Sequence, residues 1–234
     1  RSYLFVDGRY TIQAQKESAS NFKIVDYQRI LNCNLFKNLS LGIDPKIFTS
    51  DQIKKFFNKY NKVKIVESNL IDQIYKNKSK SNKPFYSLNN KIVGENYKKK
   101  IFKITKYLNR KKSDYLFITA PENVAWLLNI RGWDNPNSPI PNCHLLIDTK
   151  SNFYLISNKR KTVKLIREKK LKSSQTIDPK NFKNLINNLK GKKIIIDYKT
   201  CSLFYENILK KKFKVLKKED PIYLLKSIKN KKEI

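Results

Sequence analysis

A chain of 234 residues with 51 Lys and Arg against 19 Asp and Glu carries a formal charge of +32, and its 40% hydrophobic content is enough for a core. No run approaches the roughly 18 apolar residues of a membrane-spanning helix, so no membrane partner is expected. Three widely separated cysteines, Cys33, Cys143 and Cys201, offer neither a disulfide framework nor a paired metal knuckle, and they read as buried thiols in a reducing cytoplasm.

Arg1 to Tyr10 reads as a strand running into a turn at Gly8, followed by a helix from Tyr10 to Glu17. A short strand is expected over Asn21 to Val25 and a helix over Tyr27 to Leu35. Leu41 to Ile43 is a buried strand that stops at Asp44-Pro45. Thr49 or Ser50 then caps a helix whose Ile53, Phe56 and Phe57 recur at helical spacing. Lys64 to Val66 is a strand, and Leu70 to Ile74 is at most a helical turn.

Residues 76–84 are polar and low in complexity, the composition of a linker. They divide the chain into a first domain over 1–75 and a second over 85–221. The second opens at Gly94 with a helix over Tyr97 to Leu108, whose Tyr97, Ile101, Ile104 and Leu108 share one face. Asp114 to Thr119 is a buried strand, and Pro121 starts a short helix. A loop from Gly132 to Pro141 leads to a hairpin of His144 to Ile147 and Phe153 to Ile156. Helices over Thr162 to Lys170 and Asn181 to Leu189 follow, the second closed by Gly191. Ile194 to Asp197, Cys201 to Leu209 and Phe213 to Leu216 read as strand, helix and strand. Residues 222–234 read as a helix leaving the domain. Alternation of strands and helices makes the fold class α/β, and the hairpin requires a mixed sheet.

The charge has two readings. It fits a polyanion partner, but 44 of the 51 basic residues are Lys and Asn occurs 26 times, a pattern of A/T-rich coding. A nucleic-acid surface favours Arg for its bidentate grip. Nucleic acid is therefore the lesser expectation, and a basic module for nucleic acid or another acidic partner is the alternative function.

Little catalytic equipment is visible. His144 is the one histidine and sits among apolar residues, the carboxylates form no close cluster, and the five glycines stand alone, which excludes a phosphate loop. No catalytic or metal-ligating residue is expected. The loop Arg131-Gly132-Trp133-Asp134-Asn135-Pro136 is the exception, being stiff, aromatic and charged. Such a loop suits contact with a ligand or partner, or else is a turn in which Arg131 pairs with Asp134.

Five collinear blocks carry a family resemblance: Val6-Asp7-Gly8-Arg9-Tyr10, Leu41 to Pro45, Asn69 to Tyr75, Ala125 to Asp134, and Pro221 to Asn230. Together they resemble the N-terminal region of three-domain Xaa-Pro aminopeptidases. The resemblance implies two creatinase/prolidase N-terminal-like domains with mixed sheets flanked by helices, the first one truncated, since both ends of the chain read as cuts. It implies a parent that removes a residue preceding proline, using two divalent ions, usually manganese, in a C-terminal catalytic domain of pita-bread fold. It implies that domain as a partner, a short proline-containing peptide as substrate, a homodimer and a cytoplasmic location. Arg131, Trp133, Asp134 and Asn135 become candidates for a loop that bounds substrate access.

Overall fold

The computed structural model describes residues 2–27, 29, 37–57, 60–75 and 81–234. They form two compact units, Arg1–Asn69 and Leu70–Ile234. Cys33, most of the helix expected over 27–35, and residues 76–80 of the expected linker lie outside the described residues.

In the first unit, β1 (Ser2–Val6), α1 (Thr11–Glu17) and β2 (Phe22–Asp26) form a strand–helix–strand unit with β1 and β2 parallel. The helix is entered through a 3₁₀ turn at Gly8–Tyr10, held by Asp7, whose carboxylate accepts from the backbone and guanidinium of Arg9. A second such unit follows: β3 (Ser40–Ile43), α2 (Ser50–Phe56) and β4 (Lys62–Ile65), again parallel. Thr49, not Ser50, caps α2. Its hydroxyl accepts from Gln52 N while the Gln52 side chain accepts from Thr49 N, a reciprocal capping box. Among the described residues the strands of this unit pair in parallel only.

The second unit begins with α3 (Leu70–Ile74), β5 (Tyr86–Ser87) and α4 (Asn90–Val93). Gly94 closes α4 in the left-handed region, φ 74°, instead of opening the next helix. A single turn such as α4 is too short to show helical periodicity. Next come α5 (Tyr97–Arg110), β6 (Tyr115–Ile118), α6 (Pro121–Leu128) and β7 (Ile130–Arg131). The expected hairpin is β8 (His144–Asp148) with β9 (Phe153–Ile156), and α7 (Lys159–Arg167) begins three residues before its expected start because Asn158 caps it. The remaining elements are β10 (Thr176–Ile177), α8 (Phe182–Asn188), β11 (Lys193–Ile196), α9 (Leu203–Lys210), β12 (Lys214–Lys217) and α10 (Pro221–Ser227).

Six strands make one mixed sheet in the order β10-β9-β8-β6-β11-β12, antiparallel only on either side of β8. Side chains alternate across it, as the pleat dictates. Leu116, Ile118, Leu145, Ile147 and Ile195 enter a core with Ile101, Ile104 and Leu108 of α5, Val124 and Leu127 of α6, and Ile222 of α10. Phe117, Leu146, Ile194 and Ile196 enter a second core with Phe182 and Ile186 of α8 and Leu209 of α9. The unit is thus three layers, helix on sheet on helix.

Two expectations fail here. Gly191 does not cap α8, which ends at an extended Leu189. Gly191, at φ 136°, passes so close to Tyr115 and Asp114 that a Cβ would collide with them. The last segment is helical only to Ser227: Ile222 is fully buried in the α5/α6 core, and beyond the helix Glu233 accepts from Trp126 Nε1.

His144 lies half-buried at the start of β8, its ring centroid 4.9 Å from Tyr205 and 5.9 Å from Phe117. Its Nδ1 donates to the Thr119 carbonyl at 3.2 Å. Burial pulls its pKa down to about 4. As pH falls, the unfolded chain binds this proton first, so the contribution to stability is present above about pH 6.5 and is lost as pH drops through about 4. Asp220, raised to about 6 by burial, acts in the opposite sense over the same window. We therefore expect thermal stability to fall less between pH 6.5 and 4 in His144→Phe than in the parent chain, by on the order of 3 kcal/mol at the acid end. Parallel pH profiles of melting temperature would contradict this.

Candidate functional site

Helix α6 ends where Asn129 adopts a left-handed conformation, φ 55°, which lets the chain reverse into β7. Its terminal carbonyls collect cations. Lys100, from the first turn of α5 and 1% exposed, donates to Trp126 O at 2.9 Å and to Asn129 Oδ1 at 2.8 Å. Its ammonium sits 3.9 Å from the Trp126 ring centroid. Asn129 Nδ2 donates to the Glu95 carbonyl. Arg131 Nη1 donates to the carbonyls of Ile130 (2.9 Å) and Ala125 (3.4 Å). Positive charge at a helix C-terminus complements the macrodipole. Burial lowers the Lys100 pKa to about 8, while the carboxylates of Glu233 and Glu95 work against that shift.

Strand β7 pairs antiparallel with β5, setting Arg131 opposite Tyr86. From there Gly132 donates its N–H to Pro139 O, and a Cβ at Gly132 would lie 2.6 Å from the Pro141 backbone. Glycine is needed for that close approach. The loop's tip turns on Asn135, whose Oδ1 accepts from Asn137 N. Its base is held by Asp134, which accepts from Asn142 N at 2.7 Å and from the ammonium of Lys161 on α7. Both side chains of the Lys161–Asp134 pair are about nine-tenths shielded. Trp133 points outward, 53% exposed, with its ring 5.3 Å from Tyr86 and the Lys83 ammonium 5.6 Å above it.

The four candidate residues thus divide. Trp133 and Asn135 are exposed on the loop, whereas Arg131 and Asp134 are half-buried and fasten it. Arg131 and Asp134 do not pair with each other: Arg131 turns back onto α6 and Lys161 takes the carboxylate. Lys100, Lys161 and Tyr86 were missed in the sequence. Position 100 lies on the same helical face as Tyr97 and Ile104, so its burial was legible from the 3.6-residue period. Lys161 and Tyr86 carried no signal, because their partners are distant in sequence. Among the described residues no group of three His, Cys, Asp or Glu side chains could hold a metal ion. The thiols of Cys143 and Cys201 are buried, which pushes their pKa values up and keeps them unreactive.

A model of the creatinase/prolidase N-terminal domain matches residues 76–233. This chain belongs to that family. As a creatinase/prolidase N-terminal domain protein it is similar, at 29% identity over 99% of its length, to Xaa-Pro aminopeptidase 1 of Dictyostelium discoideum, of which it covers 40%. It is 29% identical over 60% of its length to a probable Xaa-Pro aminopeptidase P of Laccaria bicolor, of which the match covers 24%. Its fold matches that of the X-prolyl aminopeptidase of Caenorhabditis elegans, described as a cytosolic enzyme with a di-nuclear active site. That match has a TM-score of 0.82 at 20% identity and covers 98% of this chain and 41% of that one. The chain spans less than half the length of these relatives. The expected family and the α/β class of creatinase-like N-terminal domains both hold.

Truncating Asp134 to Ala leaves the Lys161 ammonium shielded and unpaired, and we expect a loss of about 3 kcal/mol of unfolding free energy in urea. Lys161→Met should then cost less in the Asp134→Ala background than alone; strictly additive losses would show the pair to be uncoupled.

Proposed function

We propose that this chain is the non-catalytic N-terminal region of a metal-dependent aminopeptidase that releases an N-terminal residue preceding proline. The observation that carries the reading is the match across 99% of the chain to an Xaa-Pro aminopeptidase. In this reading residues 1–75 complete a first creatinase-like domain, 76–84 link it to a second over 85–221, and 222–234 lead toward a C-terminal pita-bread domain. That domain would hold two divalent ions, manganese by the family resemblance, and would supply the hydrolytic chemistry; the di-nuclear site ascribed to the nematode enzyme supports the number of ions. The parent would be a cytoplasmic homodimer acting on short peptides. The cytosolic description of the nematode enzyme supports the compartment.

The role we assign to this region is to bound the substrate entrance through the loop of Arg131, Trp133, Asp134 and Asn135. The support is physical. The loop is stiff, is anchored at both ends by buried polar contacts, and presents an indole to solvent. A rigid, exposed aromatic side chain contacts a partner at little cost in conformational entropy.

The test uses the full-length enzyme and an Xaa-Pro tripeptide. Trp133→Ala and Arg131→Ala are expected to raise KM by roughly tenfold while kcat changes far less, the signature of lost uniform binding. Unchanged KM in both variants removes the loop from the entrance. Residues 1–234 alone are expected to show no peptidase activity, and hydrolysis by that segment overturns the non-catalytic assignment.

A further inference from the structure

Of the five lysines in α5, Lys98, Lys99, Lys103 and Lys106 face water and Lys100 does not. A buried ammonium persists only where its protons find acceptors. Both acceptors of Lys100, Trp126 O and Asn129 Oδ1, belong to the turn that delivers the chain to the candidate loop. Asn129 passes the hold on. Its carbonyl accepts from Leu88 N at 2.9 Å and its Nδ2 donates to Glu95 O at 2.8 Å. Ile130 and Arg131 then pair with Ser87 and Tyr86, and Gly132 closes the loop onto Pro139.

The charges that act on Lys100 come from several segments: Glu233 and Glu95 favour its ammonium form, and Arg131 and Lys103 oppose it. Arg131 is the one that matters for the loop. Its guanidinium already donates to Ala125 O, the carbonyl one residue before Trp126. Remove the Lys100 ammonium, and Trp126 O becomes an unpaired acceptor at the end of α6 with Arg131 the cation left beside it. Leaving a buried carbonyl without a donor is costly, which draws the guanidinium off Ile130 O and toward Trp126 O. The backbone of Arg131, the first residue of the loop, moves with it.

We propose that Lys100 is a positioning residue for the loop of residues 131–135. It occupies the Trp126 carbonyl and the Asn129 side chain, and so keeps Arg131 at the loop's base. Lys100 touches no substrate and acts only through Asn129 and Arg131. Its effect on catalysis rests on the substrate-entrance reading, whereas its effect on the loop rests on these contacts alone.

The test is hydrogen–deuterium exchange of the full-length enzyme, read by mass spectrometry beside tripeptide kinetics. Lys100→Met keeps the length of the side chain and removes the ammonium. Asn129→Gly keeps the left-handed turn, at φ 55°, and removes the Oδ1 acceptor. Both are expected to speed amide exchange over residues 130–142 at least about fivefold while β6 and β11 exchange as before. Both are expected to raise KM for an Xaa-Pro tripeptide about tenfold with kcat within about twofold. Thr105→Val is the control. Thr105 is also buried in α5, but its hydroxyl is bonded to Ile101 O and Ser151 Oγ, so loop exchange and KM are expected to stay within about twofold. Unchanged loop exchange in both variants overturns the proposal, as does equal acceleration in β6 and β11, which marks a general loss of stability. So does an unchanged KM in Lys100→Met when Trp133→Ala raises it. If Trp133→Ala and Arg131→Ala both leave KM unchanged, the entrance reading fails, and the exchange pattern still decides whether Lys100 holds the loop.

Discussion

An ammonium group buried among helices is costly unless every proton finds an acceptor, and Lys100 is placed where the acceptors already exist. The C-terminus of α6 has carbonyls that the helix itself cannot satisfy. Lys100 takes one of them, Asn129 Oδ1 takes a second proton, and the Trp126 ring covers the charge. The same interaction ties four parts of the chain together: α5 supplies the lysine, α6 the carbonyl and ring, the turn the asparagine, and the C-terminal segment Glu233, which accepts from Trp126 Nε1. Asn230 adds a bond to Val93 O and so fastens the same segment to α4.

From this point the candidate loop inherits its position. Asn129 reverses the chain, Arg131 caps the neighbouring carbonyl, and β7 locks onto β5. The loop is then set down on α7 through Asp134 and Lys161. Charged residues in it are spent on holding the backbone, which leaves Trp133 as the group presented outward.

The excess of lysine is carried almost wholly on the outside, where like charges are screened and cost little. Among the described residues Lys100, and Lys161 in its pair with Asp134, are the exceptions. On α5 the two treatments sit side by side: the ammonium of position 100 is dehydrated and held by the Trp126 carbonyl and Asn129 Oδ1, while positions 99, 103, 106 and 110 remain exposed to water.

Most of the architecture was legible in local pattern. Period-3.6 spacing placed α5, continuous apolar runs placed β6 and β11, Pro121 marked the start of α6, and five collinear blocks indicated the family. These signals are short-range, so one chain read in order suffices. The two-residue strands β5, β7 and β10 were invisible because they exist only through partners far along the chain, and α4 because one turn shows no periodicity. The pairing of Asp134 with Lys161, 27 residues away, and the return of the C-terminal segment onto Trp126, 107 residues away, belong to the same class. Sequence by itself determined which faces are apolar and where backbone conformation is restricted. Tertiary structure alone decided which charges are buried together, because desolvation is set by the neighbours that packing brings, not by neighbours in sequence.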